Sequence, residues 1–207
     1  MTHASRAVGR VRRSALSAAL LAVIVVLGTP AASRAETWLG PDWDGDVVHV
    51  DATDASDVSW ANDVAFGDLT GARVSYRQGR VVADAHLAEL DHSRDTFGVS
   101  VTLRHADRIR FLYTNAVVWV RDGHWRGTAR LYGDVASARC EVDHVVDYRR
   151  DVIRMSIPSR CLGSPRWVRA MMLSASMVDG AETWESDSLP GPAGVFGPRV
   201  HRAPRSA

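Results

Sequence analysis

The chain has 207 residues, and its 25 basic residues, all arginine, nearly balance 24 acids for a formal net charge of +1. Five of those arginines precede residue 36 and three follow residue 198, so residues 36–188 hold 17 Arg against all 24 acids, a net −7. A body this acidic lacks the basic face that phosphate binding needs, and nucleic acid is not expected as a partner.

The N-terminus carries three zones in the order of an export signal. Arg6, Arg10, Arg12 and Arg13 form a positive segment without acids; residues 14–28 are an apolar run of 15; Thr29-Pro30 then breaks any helix. Ser33-Arg34-Ala35 has small residues at the two positions a signal peptidase reads, which predicts cleavage before Glu36. An apolar run of 15 falls short of the roughly 20 residues a membrane-spanning helix needs, so residues 1–35 read as a cleaved signal rather than an anchor. The exported chain keeps 20 Arg against 24 acids, a net −4. Its length suits one domain, over residues 36–188, with 189–207 as a Pro-, Gly- and Arg-rich tail or irregular edge. No membrane span is expected in the mature protein.

Beyond the signal the dominant period is two. In residues 80–87, Val81, Ala83, Ala85 and Leu87 share one face; in 152–157, Ile153, Met155 and Ile157 alternate with Arg154 and Ser156. Both are half-buried strand patterns. Gln78-Gly79 predicts a tight hairpin between 74–77 and 80–87, and Arg149-Arg150-Asp151 one between 143–148 and 152–157. Asp122-Gly123 predicts a third, joining 116–121 to 127–132. Further strands are expected at 47–50, 97–104, 109–113, 136–142, 167–178 and 181–185. The segment 167–178 is rich in Met and Ala and has helical propensity; Asp179-Gly180 after it favours another hairpin. Turn signals every 8–12 residues predict an all-β antiparallel sandwich, with jelly-roll and immunoglobulin-like topologies both open and a barrel-like closure as a variant. Trp119 and Trp167, inside strand runs, are expected in the core.

Cys140 and Cys161 are the only cysteines, and an even pair in an exported chain reads as a disulfide; two buried free thiols are the alternative. Asp44-Gly45-Asp46-Val47, Gly67-Asp68-Leu69 with 72–76, Asp147-Tyr148, 157–162 and 165–169 occur in an order running on to Pro198-Arg199-Val200. Together these segments resemble a group of secreted actinobacterial proteins of unassigned function. The resemblance spans nearly the whole mature chain and implies export, one β-rich domain, pairing of the two cysteines and a packed tail. It implies no activity.

Three groups of residues are candidates for chemistry. Asp42, Asp44 and Asp46 stand at alternate positions, like the start of a calcium loop, but Gly45 and Thr53 do not fit the EF-hand pattern. The simpler reading is an Asp-rich turn; the candidate calcium set is Asp42, Asp44 and Asp46 joined by Asp187, or Asp179, from elsewhere. His86, Glu89, Asp91 and His92 crowd together but read as a solvated loop in preference to a metal site. Of seven Trp, Trp38, Trp43, Trp60 and Trp125 lie among polar neighbours, where they either pack on the sandwich or stack on sugar rings. The markers of common hydrolases, metalloproteases and nucleotide-binding folds do not occur. The expectation is a monomeric, non-enzymatic binding or envelope-associated module, secreted, with an extracellular glycan as ligand. No cofactor is required, calcium being an optional structural ion. The alternative is a secreted hydrolase working through carboxylates.

Overall fold

Two-residue alternation becomes strands wherever one face can be buried, and here two sheets bury each other's inner faces. The structure, a computed structural model, describes residues 37–42, 46–51, 58–61, 65–92, 96–106, 110–121, 123–136, 139–177, 183–191 and 194–204. The expected export segment 1–35 lies outside the described residues.

The strands are β1 (Thr37–Pro41), β2 (Val48–Asp51), β3 (Val58–Trp60), β4 (Leu69–Arg77), β5 (Arg80–Leu87), β6 (Thr96–Ala106) and β7 (Phe111–Arg121). After them come β8 (His124–Gly133), β9 (Asp143–Asp147), β10 (Val152–Pro158), β11 (Trp167–Met177), β12 (Thr183–Leu189) and β13 (Val200–His201). One sheet has the order β1-β4-β5-β10-β9; the other runs β3-β2-β12-β11-β6-β7-β8, with β13 beside the start of β11. Every ladder between these strands is antiparallel, and the two sheets pack face to face as an all-β sandwich without closing into a barrel.

The hairpins form where the turn residues predict them. Gln78 (φ 50) and Gly79 (φ 72) make a two-residue loop in which both residues are left-handed, matching the strand twist. Asp151 (φ 53) closes β9–β10, and Gly123 (φ 70) lies in the β7–β8 turn. On the inner faces Val81, Ala83, Ala85, Ile153, Met155 and Ile157 are fully buried, as their alternation predicts.

Three expectations need correction. The strands expected at 109–113, of which residue 109 lies outside the described residues, and at 116–121 are one strand: Thr114 and Asn115 continue the ladder against Leu103 and Thr102, because no Gly or Pro interrupts it. Residues 136 and 139–142 are not strand; the chain there leaves β8 for the other sheet, and Cys140 is tied to Cys161 with a Cα–Cα distance of 5.6 Å. The strand expected at 167–178 forms as β11 in spite of its helical propensity, since β11 sits between β6 and β12 and buries Val168, Ala170 and Met172. Trp119 and Trp167 are on the outer face of the larger sheet, half-buried, whereas Trp38 is in the core at 8 % exposure. Trp38 fits because Gly40 and Gly197 leave room for its ring.

The C-terminal residues pack against the sandwich. Leu189 and Val200 are fully buried, the Gly197 N–H donates to the Ala170 carbonyl at 2.9 Å, and the Ala203 N–H donates to the Tyr76 carbonyl at 3.1 Å. This segment takes over the place alongside β11 that β12 vacates after Leu189.

Candidate functional site

The acids of interest meet at one end of the sandwich. Asp42 follows β1 and Asp46 precedes β2, while Asp187 lies on β12. Val48 pairs with Ser186, and that register brings Asp46 beside the Asp187 end of β12. One carboxylate oxygen from each of Asp42, Asp46 and Asp187 lies within 4.8 Å of the other two, and among the described residues no other group of three potential ligands converges in this way.

Asp187 is the most constrained member. It is 4 % exposed, and its Oδ2 accepts the Leu69 N–H at 2.8 Å while Oδ1 accepts the Ser188 N–H at 2.5 Å. Burial pushes its pKa up to about 6; the Asp46 and Asp68 charges push the same way, and the two backbone N–H groups oppose them. Asp46 Oδ1 is buried and, among the described residues, meets no hydrogen-bond donor. Three carboxyl groups thus crowd into a partly dry site, where desolvation and mutual repulsion both work against the charged form. An all-oxygen donor set of this kind suits a hard divalent cation such as calcium, not zinc or copper. Backbone carbonyls and water would have to supply the remaining ligands.

Two of the three acids, Asp46 and Asp187, are among the residues that line a pocket of about 270 Å³ at the outer face of the larger sheet, although the Asp187 carboxylate itself turns inward to Leu69. Asp46 and Asp187 line it together with Val48, Leu173, Ser186 and Ser188, and Trp60, 69 % exposed, stands at its side. Thus two of the residues singled out as calcium ligands and one of the candidate stacking tryptophans share one concavity. A second cleft, about 620 Å³, lies between the outer strands β8 and β9 and is lined by Arg130, Tyr132, Cys140, Glu141, Asp143 and His144. It contains none of the candidate metal or stacking residues.

The remaining candidates separate. Asp44, Asp179 and Trp43 lie outside the described residues. Trp38 is buried and presents no ring to a ligand. Trp125 is half-buried in a different cluster, with the His92 ring edge-on at 4.8 Å and its carbonyl accepting the Tyr148 hydroxyl at 2.8 Å. His92 stacks on Tyr148 at 4.0 Å, and His86 lies on the outer face of the smaller sheet beside Asp84 and Arg154. His86, Glu89, Asp91 and His92 therefore do not assemble a metal site.

Asp68, 2 % exposed, was not among the predicted site residues, yet its charge acts on Asp187. Its one signal in the sequence is the preceding Gly67, which the chain needs at φ 86 to turn into β4. Ser174 and Ser176 are fully buried behind the triad; Ser174 donates to the Gly67 carbonyl and Ser176 to Glu185 Oε2 at 3.0 Å. No known protein family, curated protein or solved structure matches this chain.

Proposed function

We propose that this is a secreted, non-enzymatic binding module whose Asp42, Asp46 and Asp187 hold a calcium ion beside a pocket that takes an extracellular glycan. The observation that carries the reading is the meeting of three carboxylates, from the β1–β2 segment and from β12, at the edge of a pocket bearing an exposed tryptophan. Calcium neutralises charges that otherwise repel, and it ties the β1–β2 connection to β12. Trp60 offers an aromatic face for stacking, while Ser186 and Ser188 offer hydroxyls for hydrogen bonds. Export is supported by the N-terminal signal pattern and by the pairing of Cys140 with Cys161.

Melting in chelator and in calcium tests the ion. Calcium at about a hundred times its dissociation constant stabilises by about 2.7 kcal/mol, which raises the midpoint of a protein this size by about 5–10 °C. An identical midpoint in both conditions removes calcium from the proposal. Titration with soluble polysaccharide fragments, read by Trp fluorescence, tests the glycan; a Trp60→Ala variant that binds as well as the wild type rejects the pocket.

One observation favours a second reading. Asp187, with its pKa pushed up to about 6, lines one pocket with Asp46, and glycosidases pair an acid that can hold a proton near neutrality with a second carboxyl group. Release of reducing ends from a polysaccharide, lost in Asp187→Asn while binding persists, would move the assignment to a hydrolase.

A further inference from the structure

The pocket is one corner of a larger face. Pairing registers place Trp60, Val48, Ser186, Ala175, Gly98 and Trp119 side by side in one row across six strands from β3 to β7. The next row is Ser188, Leu173, Ser100 and Val117, and the one beyond is Met171, Thr102, Asn115 and Tyr132. None of these residues is charged, in a protein whose residues are 24 % charged. Arg130 on β8 ends the second row, Arg104 and Arg169 stand in the row after the third, and Arg121 in the row on the other side of Trp119. The outer face of the other sheet is the opposite, since Arg73, Asp84 and Arg154 stand side by side at its centre.

Trp119 supplies an independent mark on this face. A Cβ on Gly98 would lie 2.5 Å from the Trp119 ring, so the indole leans across from β7 and occupies the space above β6. A glycine at that point lets a large aromatic ring lie along the sheet. Small side chains, Ser186 and Ala175, separate it from Trp60 at the far side. The backbone positions of the two residues are five strand spacings apart, roughly 24 Å.

We infer that the outer face of the larger sheet is an extended binding surface for a neutral, linear polysaccharide laid across the strands from Trp60 to Trp119. The inference rests on the glycan reading of the pocket and extends it to a ligand class and to residues outside the pocket. Rings at both ends stack on sugar faces, and the hydroxyls and amide between them hydrogen-bond to sugar hydroxyls. A polyanionic glycan fits poorly, because the row from Trp60 to Trp119 holds no cation and the body carries a net −7.

Affinity electrophoresis of the full chain tests this, with hydroxyethylcellulose as the neutral polymer and polygalacturonate as the acidic one. The neutral polymer retards the wild type, and the acidic one does not. Trp119→Ala and Tyr132→Ala each weaken retardation; for Trp119→Ala the dissociation constant rises about tenfold, or 1.4 kcal/mol, with an unchanged melting midpoint. If Trp60→Ala weakens binding and both Trp119→Ala and Tyr132→Ala bind like the wild type, the pocket stands and the extended face is overturned. Retardation by polygalacturonate alone overturns the neutral class and leaves the pocket in place. Absence of retardation by either polymer rejects the glycan reading and the extension with it. A wild-type dimer in light scattering that Trp119→Ala turns into a monomer shows instead that a second copy covers the face.

Discussion

The carboxylate of Asp187 accepts the backbone N–H of Leu69 at 2.8 Å, so a side chain of the larger sheet holds the first residue of β4 in the smaller one. Both groups are buried. The same side chain is thus a structural tie between sheets and a member of the acidic triad, and substitutions at this position separate the two roles. Asp187→Ala leaves the Leu69 N–H buried without its acceptor and should cost about 1–3 kcal/mol in urea denaturation of the metal-free protein. Asp187→Asn keeps one acceptor oxygen for the Leu69 N–H and removes the buried charge, at the expense of the Ser188 N–H contact, so its metal-free loss at pH 7 should be smaller than that of Asp187→Ala. Equal losses in the two variants would show that the charge, not the acceptor, sustains the tie.

The elevated pKa of Asp187 fixes the sign of a pH effect. Its folded value of about 6 lies above the ordinary 3.8, so the folded chain binds this proton more tightly than the unfolded chain does. The resulting stabilisation is full below pH 3.8 and is lost as pH rises through 6, with a magnitude on the order of 3 kcal/mol. In chelator, wild type minus Asp187→Asn stability should therefore fall between pH 4 and pH 6.5, read from paired denaturation curves. A difference that stays flat over that window rejects the assignment.

Cys140 and Cys161 are 21 positions apart, and closing a loop of that length restricts the unfolded chain by about 3 kcal/mol in the entropy model. The bond also anchors the passage from β8 to β9 against the short helix Ser159–Leu162. The double variant Cys140→Ser with Cys161→Ser should lower the denaturation free energy by about that amount and leave the wild type's sensitivity to reductant behind. A loss well under 1 kcal/mol would show that packing alone holds this passage.

Two glycines make a graded prediction. A Cβ at Gly133, where φ is 136, would collide with the backbone of Tyr113 and Thr114, which cannot move without breaking the β7–β8 ladder. A Cβ at Gly98 meets only the Trp119 ring, which can swing away. Gly133→Ala should therefore cost more than about 2 kcal/mol, and Gly98→Ala about 1 kcal/mol with a change in Trp emission. The reverse order in thermal melts would show that the Trp119 ring is held as firmly as the backbone.

Local residue pattern is enough to place the strands whose two faces differ and the hairpins whose turns need special backbone angles. Residues 80–87 and 152–157 were legible because polar and apolar side chains alternate strictly, and Gln78-Gly79 because few dipeptides accept two left-handed residues. Where both faces are apolar the parity carries no signal. In 116–120 every residue is apolar, so nothing local says that Ala116, Val118 and Val120 point inward and Trp119 outward; the register with β6 decides it. The same holds for Trp38, whose burial depends on Gly197 arriving from the C-terminal segment. The acidic site divides along the same line. The spacing of Asp42 and Asp46 marked them as a pair, but only the sheet order sets β12 beside β2 and brings Asp187 to them, because strand pairing joins residues by hydrogen bonds between backbones and leaves no trace in side-chain spacing.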